Sequence, residues 1–264
     1  MKKILLILLC VLLSTGLLVS CNGSPQQMEA YSLYQAMNEA VVDVTSIVAN
    51  SQADMVMTIA GETFTISSAS EVQQIIRSET EFDMAMFTSM DMSAFGMGAM
   101  ETTMYYRDGW LYMDLGGTGM KFPLPIDALA QFGMETDVLG IPEFTSDAIV
   151  VSGVEEVGNN NRLHFTLSGA ALSELMDDTM GDIMNLMGVA GLDMDITYGD
   201  MSFVVYLDES NLPIEQHVMF SIEMTAEGEI VSMSADISMS DVVFNTLTSI
   251  NFPPYLDNYV EGSW

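Results

Sequence analysis

The chain has 264 residues, of which 49% are hydrophobic, and its 37 acidic residues against six basic ones give a formal net charge of −31 at pH 7. A surface of this sign repels nucleic acids and anionic lipid head groups, so we exclude DNA or RNA as a partner. The length allows one large domain or two small ones, and the apolar content is sufficient for a large core.

Residues 1–20 have the pattern of an export signal. Lys2 and Lys3 precede an apolar run over residues 4–18, which is too short and too early for a mature membrane span. The following Leu18-Val19-Ser20-Cys21 matches the bacterial lipobox, whose cysteine receives a diacylglycerol thioether and becomes the first mature residue. We therefore predict lipidation of Cys21 and attachment to the membrane through that lipid. An ordinary secretory signal with an incidental cysteine is the alternative.

Cleavage at this point determines the mature chain. Cys10 is lost with the signal, so Cys21 is the only mature cysteine, which excludes a disulfide and a thiolate metal site. Residues 21–27 are small, polar and rich in helix breakers, as in a flexible tether. Residues 28–264 are predicted to form a single domain on the extracytoplasmic face of the cell membrane, with a hinge near residues 133–147 as the weaker alternative.

The first predicted element is an amphipathic helix over residues 28–50. Its apolar positions recur at spacings of three and four: Tyr34, Met37, Val41, Val44 and Val48.

The period then changes to two, which predicts β-strands. Met55, Met57 and Ile59 alternate with Asp54, Val56 and Thr58. Residues 61–68 can return as a second strand, and residues 81–90 alternate more clearly. Asp108-Gly109 between two aromatic-rich runs predicts a β-hairpin over 104–113, because glycine tolerates the positive φ of a type I′ turn.

The second half repeats the order of helix and strands without repeating the sequence. We predict a short helix over 126–132, a hairpin of residues 148–157 and 162–168, a long helix over 172–187, and a strand from Met194. Further strands are predicted over 201–207, 218–224 and 231–239. Since short turns cannot join parallel strands, the expected class is α+β with an antiparallel sheet and helices on one face.

No catalytic or metal-binding motif stands out. His164 and His217 lie in separate predicted strands without a companion motif, and Asp193, Asp195 and Asp200 lack the glycine and glutamate of a calcium loop. A glycine- and methionine-rich stretch at 96–100 could hold Cu(I), but it is a minor alternative. We expect no metal, no cofactor and no enzyme activity.

The lipobox, the long first helix, the aromatic stretch at residues 105–114 and the closing Ile250-Asn251-Phe252-Pro253-Pro254-Tyr255 together resemble the LolA-like lipoproteins. This group includes the LolA and LolB carriers, the LppX/LprG lipid-binding lipoproteins and many uncharacterised Gram-positive members. The resemblance implies a strongly curved antiparallel sheet, an unclosed half-barrel, with helices packed on its concave face. It also implies an apolar cavity that shields acyl chains.

The 25 methionines suit such a cavity, because a flexible thioether side chain can pack as core or yield to a lipid tail. The expected function is the binding or carriage of a lipid or other amphiphile. The alternative is a non-enzymatic interaction or scaffold module of the cell envelope with a filled core. The residues expected to line the cavity are Tyr34, Met37, Val41, Met55, Met57, Phe82, Met84, Met86, Phe203, Val205, Phe220 and Ile222.

Overall fold

The fold is built from one long helix and one large sheet. The computed structural model describes residues 25–78, 81–96, 98–125, 148–173, 194–226 and 229–262. Helix α1 spans Pro25–Val42, and no helix among the described residues is long and apolar enough to cross a membrane. The strands are β1 (Ser46–Ile59), β2 (Glu62–Ser78), β3 (Glu81–Asp91), β4 (Ala99–Arg107), β5 (Trp110–Leu115), β6 (Thr118–Pro123), β7 (Ile149–Val157), β8 (Asn160–Leu167), β9 (Met194–Tyr198), β10 (Met201–Leu207), β11 (Pro213–Ala226), β12 (Glu229–Phe244) and β13 (Val260–Glu261).

The strands form one open, curved sheet in the order β13-β6-β5-β4-β3-β2-β1-β12-β11-β10-β8-β7. All of these pairs are antiparallel except β13 with β6. Strands β9 and β10 lie end to end along the same edge of β11. The pairing of β1 with β12 joins the strands of the two halves of the chain into a continuous sheet.

The open, curved antiparallel sheet is confirmed, and so is the hairpin around Asp108-Gly109. Both residues have positive φ, 54° and 77°, as a type I′ turn requires. The strands predicted over 81–90, 201–207, 218–224 and 231–239 are present, and several extend further than their periodicity indicated. The packing of helices on a concave face stays a prediction.

The first helix begins at Pro25, inside the predicted tether of residues 21–27, and is shorter than predicted. It ends at Val42, whereas residues 44 and 48 of the expected stripe lie after it, and Val48 is part of β1. Residues 41–48 include Val41, Val42, Val44, Thr45, Ile47 and Val48. Such β-branched residues lose side-chain freedom in a helix and favour a strand. Here that preference outweighs the helical spacing, since residues 46–48 pair with β2.

Two further predicted boundaries can be compared. Strand β8 begins at Asn160 rather than at residue 162, so the hairpin turns through Gly158 and Asn159 alone, with Gly158 at φ 68°. Residues 169–173 are helical and include the first two residues of the helix predicted over 172–187. The remainder of that predicted helix lies outside the described residues. The predicted short helix over 126–132 lies wholly outside the described residues.

The two faces of the sheet are covered by different parts of the chain. Helix α1 packs on one face against β7 and β8, in a cluster that includes Tyr34, Met37, Phe165 and Phe203. Residues 245–262, here called the C-terminal segment, pack on the opposite face. There Ile250 and Leu256 contact Ile75, Ala85, Tyr105 and Tyr112.

Candidate functional site

One face of the sheet carries no charge between the strand ends. Side chains alternate along a strand, so the continuous register lets each face be followed from strand to strand. The uncharged face, as we name it, is the one on which Ile47, Gln74, Met84, Tyr106 and Leu111 stand directly opposite one another across β1 to β5. Within the described strands its interior positions are apolar, hydroxyl or amide residues. In the described strands, acidic residues reach it only near strand ends, such as Glu62 and Glu156. It is the face on which α1 packs, since Ile47 belongs to the α1 cluster.

The opposite face carries the charges, including all four basic residues that follow residue 20. Arg77 pairs with Asp83, and this hydrogen bond raises the pKa of the Arg77 guanidinium. Arg162 contacts Glu155 at 2.8 Å, and Arg107 contacts Asp257 at 3.3 Å. The ammonium of Lys121 donates to the carbonyl oxygen of Asp257 at 3.2 Å and lies 5.6 Å from the Trp110 ring centre. Each cation is therefore engaged away from the uncharged face.

A row of methionines crosses the uncharged face. Met86, Met104, Met113 and Met120 stand directly opposite one another on β3, β4, β5 and β6. All four are half-buried rather than buried. Directly opposed side chains in an antiparallel pair lie about 4.5–5.5 Å apart at Cβ, so the thioethers form a continuous strip. This methionine row offers an adaptable apolar surface.

Beside the methionine row lies a row of hydroxyl groups. Ser51, Ser70, Thr88 and Thr102 are opposed across β1 to β4. The Ser70 and Thr88 hydroxyls hydrogen-bond to each other at 2.9 Å. These groups are polar but neutral, so the hydroxyl row keeps the face free of charge while allowing hydrogen bonds.

On the other side of the methionine row lies Gln74, which is only 1% exposed. Among the described residues, no acceptor lies within hydrogen-bond distance of its buried Nε2. Gln74 stands between Ile47 and Met84 in its row, with Met84 also buried. An amide donor is thus held in apolar surroundings without an acceptor, which is unfavourable for the free protein.

The residues predicted to line a cavity fall into separate groups. Tyr34, Met37, Phe203 and Val205 are buried in the α1 cluster, with Val41 and Phe220 partly buried against it. Phe82 and Met84 belong to a second cluster with Tyr106, Leu111 and Leu124. Met86 lies in the methionine row. Met55 and Met57 are half-buried and Ile222 is buried on the same face, on β1 and β11. The predicted strand residues thus share one face, but the structure does not bring the whole set together.

The α1 end of the uncharged face is densely packed. Phe165, Phe203, Val205 and Met37 have no exposed surface. The rings of Tyr34 and Phe165 meet edge to face at 5.7 Å between centroids, an arrangement typical of a core. The β3–β6 end differs, because the methionine row there remains half-buried.

A shallow depression of about 320 Å³ lies where β1, β2 and β12 meet. It is lined by Asn50, Ser51, Gln52, Ala69, Ser70, Glu71, Ser240 and Asp241. Acyl-chain sites are mainly apolar, so this polar depression is not the cavity expected from the sequence. That cavity stays a prediction.

The histidines show no catalytic arrangement within the described residues. His217 Nε2 contacts the Asp236 carboxylate on the charged face, where both side chains are partly exposed. His164 lies beside Gly153 on the neighbouring strand, where a Cβ would come within 2.4 Å of its ring. Across the described part of the chain, no three His, Cys, Asp or Glu side chains lie close enough to hold a metal ion.

Sequence reasoning missed Gln74, the hydroxyl row and the methionines Met104, Met113 and Met120 as possible site residues. The second strand was predicted only to residue 68, whereas β2 continues to Ser78. A longer reading of the alternation at 64, 66, 68, 70, 72 and 74 would have placed Gln74 on the apolar side.

These features define a class of protein: an open, curved antiparallel sheet with one charged and one uncharged face, the latter partly covered by a helix. Residues 29–256 match the family described as a family of unknown function, DUF6612. The chain belongs to this family. No curated protein sequence matches it.

Several solved structures are similar in fold. LprF from Mycobacterium bovis is 11% identical, with a TM-score of 0.42, and the match covers 88% of this chain and 99% of LprF. Lipoprotein LppX from Mycobacterium tuberculosis is 8% identical, with a TM-score of 0.41 and coverage of 84% and 98%. A Vibrio parahaemolyticus domain described as an outer membrane lipoprotein-sorting protein domain is 10% identical, with a TM-score of 0.29 and coverage of 84% and 95%.

Proposed function

We propose that this protein is a non-enzymatic lipoprotein, anchored on the extracytoplasmic face of the membrane through a lipid on Cys21, whose uncharged face binds a lipid or other amphiphile. In this proposal the uncharged face is the concave side of the sheet, and the methionine row is the surface that meets the acyl chain.

The observation that carries the proposal is the separation of charge between the two faces. A buried methylene contributes about 0.8 kcal/mol when it leaves water, whereas an unpaired charge beside an acyl chain would cost several times as much. The uncharged face presents no such charge over the interior of its described strands. Half-buried thioethers at its β3–β6 end can move to accept a chain.

The acidic surface supports a tethered protein rather than an adsorbed one. Its mature chain has 37 acids against four basic residues, each of which is engaged on the charged face. Anionic lipid head groups repel such a surface. Attachment would therefore depend on the lipid of Cys21 and on the short segment of residues 22–24 that links it to α1, which leaves the uncharged face available to a ligand.

The binding part of the proposal is tested by native mass spectrometry with solvent extraction. The sample is the chain from Asn22, which retains every described element, purified without detergent from a bacterial envelope fraction. We expect a stoichiometric, extractable amphiphile. A clean apo mass that stays unchanged after incubation with lipid vesicles would overturn the proposal.

That second outcome would favour the envelope interaction module. The observation on its side is the α1 cluster, in which Phe165, Phe203 and Val205 are fully buried, as in an ordinary filled core. A filled core along the whole face would leave the protein with surface contacts only.

The anchor is tested separately in the full chain expressed in a bacterial host. Cys21→Ser should abolish the N-terminal lipid mass and release the protein from the membrane fraction. Cys10→Ser is the matched control, since it lies in the apolar run of the signal, and should leave the lipid mass unchanged. An unmodified N-terminus in the wild-type chain would refute the anchor without affecting the binding test.

A further inference from the structure

We propose that Gln74 is the polar anchor of the ligand site, and that its Nε2 donates a hydrogen bond to the carbonyl oxygen of an ester in an uncharged amphiphile. This inference rests on the proposed function and names the chemical class of ligand that the uncharged face accepts.

The amide nitrogen of Gln74 is buried without a hydrogen-bond acceptor in the described part of the chain. The side chain is 1% exposed, and its buried Nε2 has no acceptor among the described residues. Its row neighbours Ile47 and Met84 are buried apolar residues that offer the amide no acceptor. An amide in this position is unfavourable unless a ligand supplies the missing acceptor. The neighbouring Gln73, by contrast, lies on the charged face and donates to Glu71 at 2.9 Å.

Gln74 lies on the same face as the methionine row and close to one end of it. Two residues before Gln74 on the same face of β2 lies Val72, which pairs with Met86, the first residue of the methionine row. Two residues further toward the N-terminus lies Ser70 of the hydroxyl row. At about 3.3 Å per residue, Gln74 and Ser70 are about 13 Å apart. An ester carbonyl at Gln74 would leave an acyl chain against the methionine row.

The distribution of charge on the sheet favours an uncharged ligand. Arg77, Arg107, Lys121 and Arg162 all lie on the charged face and are engaged there. Within the described strands, the uncharged face therefore has no cation to neutralise a carboxylate or phosphate. Burial of an anion without a partner is strongly unfavourable, so the face selects against anionic amphiphiles. An ester supplies an acceptor without a charge.

Three soluble probes with the same acyl chain length test the hydrogen bond and the ligand charge separately. They are a monoacylglycerol, which has an ester carbonyl, the matching 1-O-alkylglycerol, which has an ether, and the free fatty acid. Dissociation constants are measured for the chain from Asn22 below the micelle concentration of each probe. We expect the ester to bind about fivefold more tightly than the ether, the usual effect of one neutral hydrogen bond. The fatty acid should bind most weakly at neutral pH.

Gln74→Met then removes the donor at similar volume. We expect the preference for ester over ether to disappear, with the affinity for the ether unchanged or slightly higher. Gln73→Met is the matched control on the charged face and should keep the preference. If Gln74→Met does not fold, Gln74→Leu and the wild-type preference itself provide the test.

Each outcome has a distinct meaning. Equal binding of ester and ether by the wild type, or an ester preference that persists in Gln74→Met, overturns the role of Gln74. Binding of the fatty acid as tight as that of the ester overturns the selection for uncharged ligands. Failure of all three probes to bind overturns the proposed function, and this inference with it.

Discussion

The C-terminal segment should contribute to stability chiefly through Leu256. This side chain is 1% exposed and packs against Ile75, Ala85, Tyr105, Tyr112 and Ile250. Truncation of a buried leucine to alanine costs about 2–5 kcal/mol, depending on how far the surroundings collapse. Leu256 lies in a short 3-10 turn at the surface of the sheet, which can shift toward the space left behind. We therefore expect Leu256→Ala to lower the free energy of unfolding by about 2–3 kcal/mol.

Urea unfolding of wild type and variant measures this difference, and a thermal melt should show a fall of about 5–10 °C for a domain of this size. Val260→Ala is the control. Its side chain is 71% exposed, so the change should stay within about 0.5 kcal/mol. A loss below about 0.5 kcal/mol for Leu256→Ala would refute the view that this segment is an integral cover of the charged face.

Three other predictions follow from particular residues. Thr88→Lys places a cation on the uncharged face and should raise the affinity for a fatty acid at least several-fold in the same binding assay. Ser89→Lys on the charged face is the control and should leave that affinity unchanged. Equal effects of the two variants would contradict the assignment of faces. Gly109→Ala should cost about 1–2 kcal/mol in urea unfolding, because φ is 77° there, and a neutral result would contradict the type I′ turn. Burial and the hydrogen bond to Asp114 raise the pKa of Tyr259 to about 12. The folded state thus keeps this proton while the unfolded state loses it near pH 10, so stability should fall as pH rises from about 10 to 12. Tyr259→Phe should flatten that fall in unfolding curves, and an unchanged slope would count against the shift.

Local signals predicted the strands well, because alternation and turn chemistry act over a few residues. The Asp108-Gly109 turn and the alternation of β12 are examples, since each depends on neighbouring residues alone. The end of α1 was predicted wrongly because residues 44 and 48 fit a helical spacing, although pairing with β2 and β12 places Val48 in a strand. Val44 still packs in the α1 cluster, so its burial was predicted while its conformation was not.

The candidate site was less accessible to sequence reasoning, because it depends on register between strands. Nothing local indicates that Met86, Met104, Met113 and Met120 stand opposite one another, or that all four basic residues after residue 20 share the other face. Gln74 was missed because the second strand was predicted only to residue 68, whereas β2 continues to Ser78. Only the pairing of β2 with β1 and β3 places Gln74 between Ile47 and Met84.

The pairing of β1 with β12 has a consequence for how the chain reaches this structure. The backbone amide of Thr45 bonds the side chain of Asn245 at 2.8 Å, a contact between residues 200 positions apart, and the rest of the seam is nearly as distant in sequence. Contacts of such long range form slowly, since the intervening chain must be closed into a loop first. Until β12 is synthesised, one edge of β1 is unpaired and carries Val48, Met55 and Met57, and such edges pair readily with other chains. Truncation before residue 229 should therefore yield aggregates rather than a stable half-sheet, and a holding chaperone that shields β1 should raise the yield of the native protein.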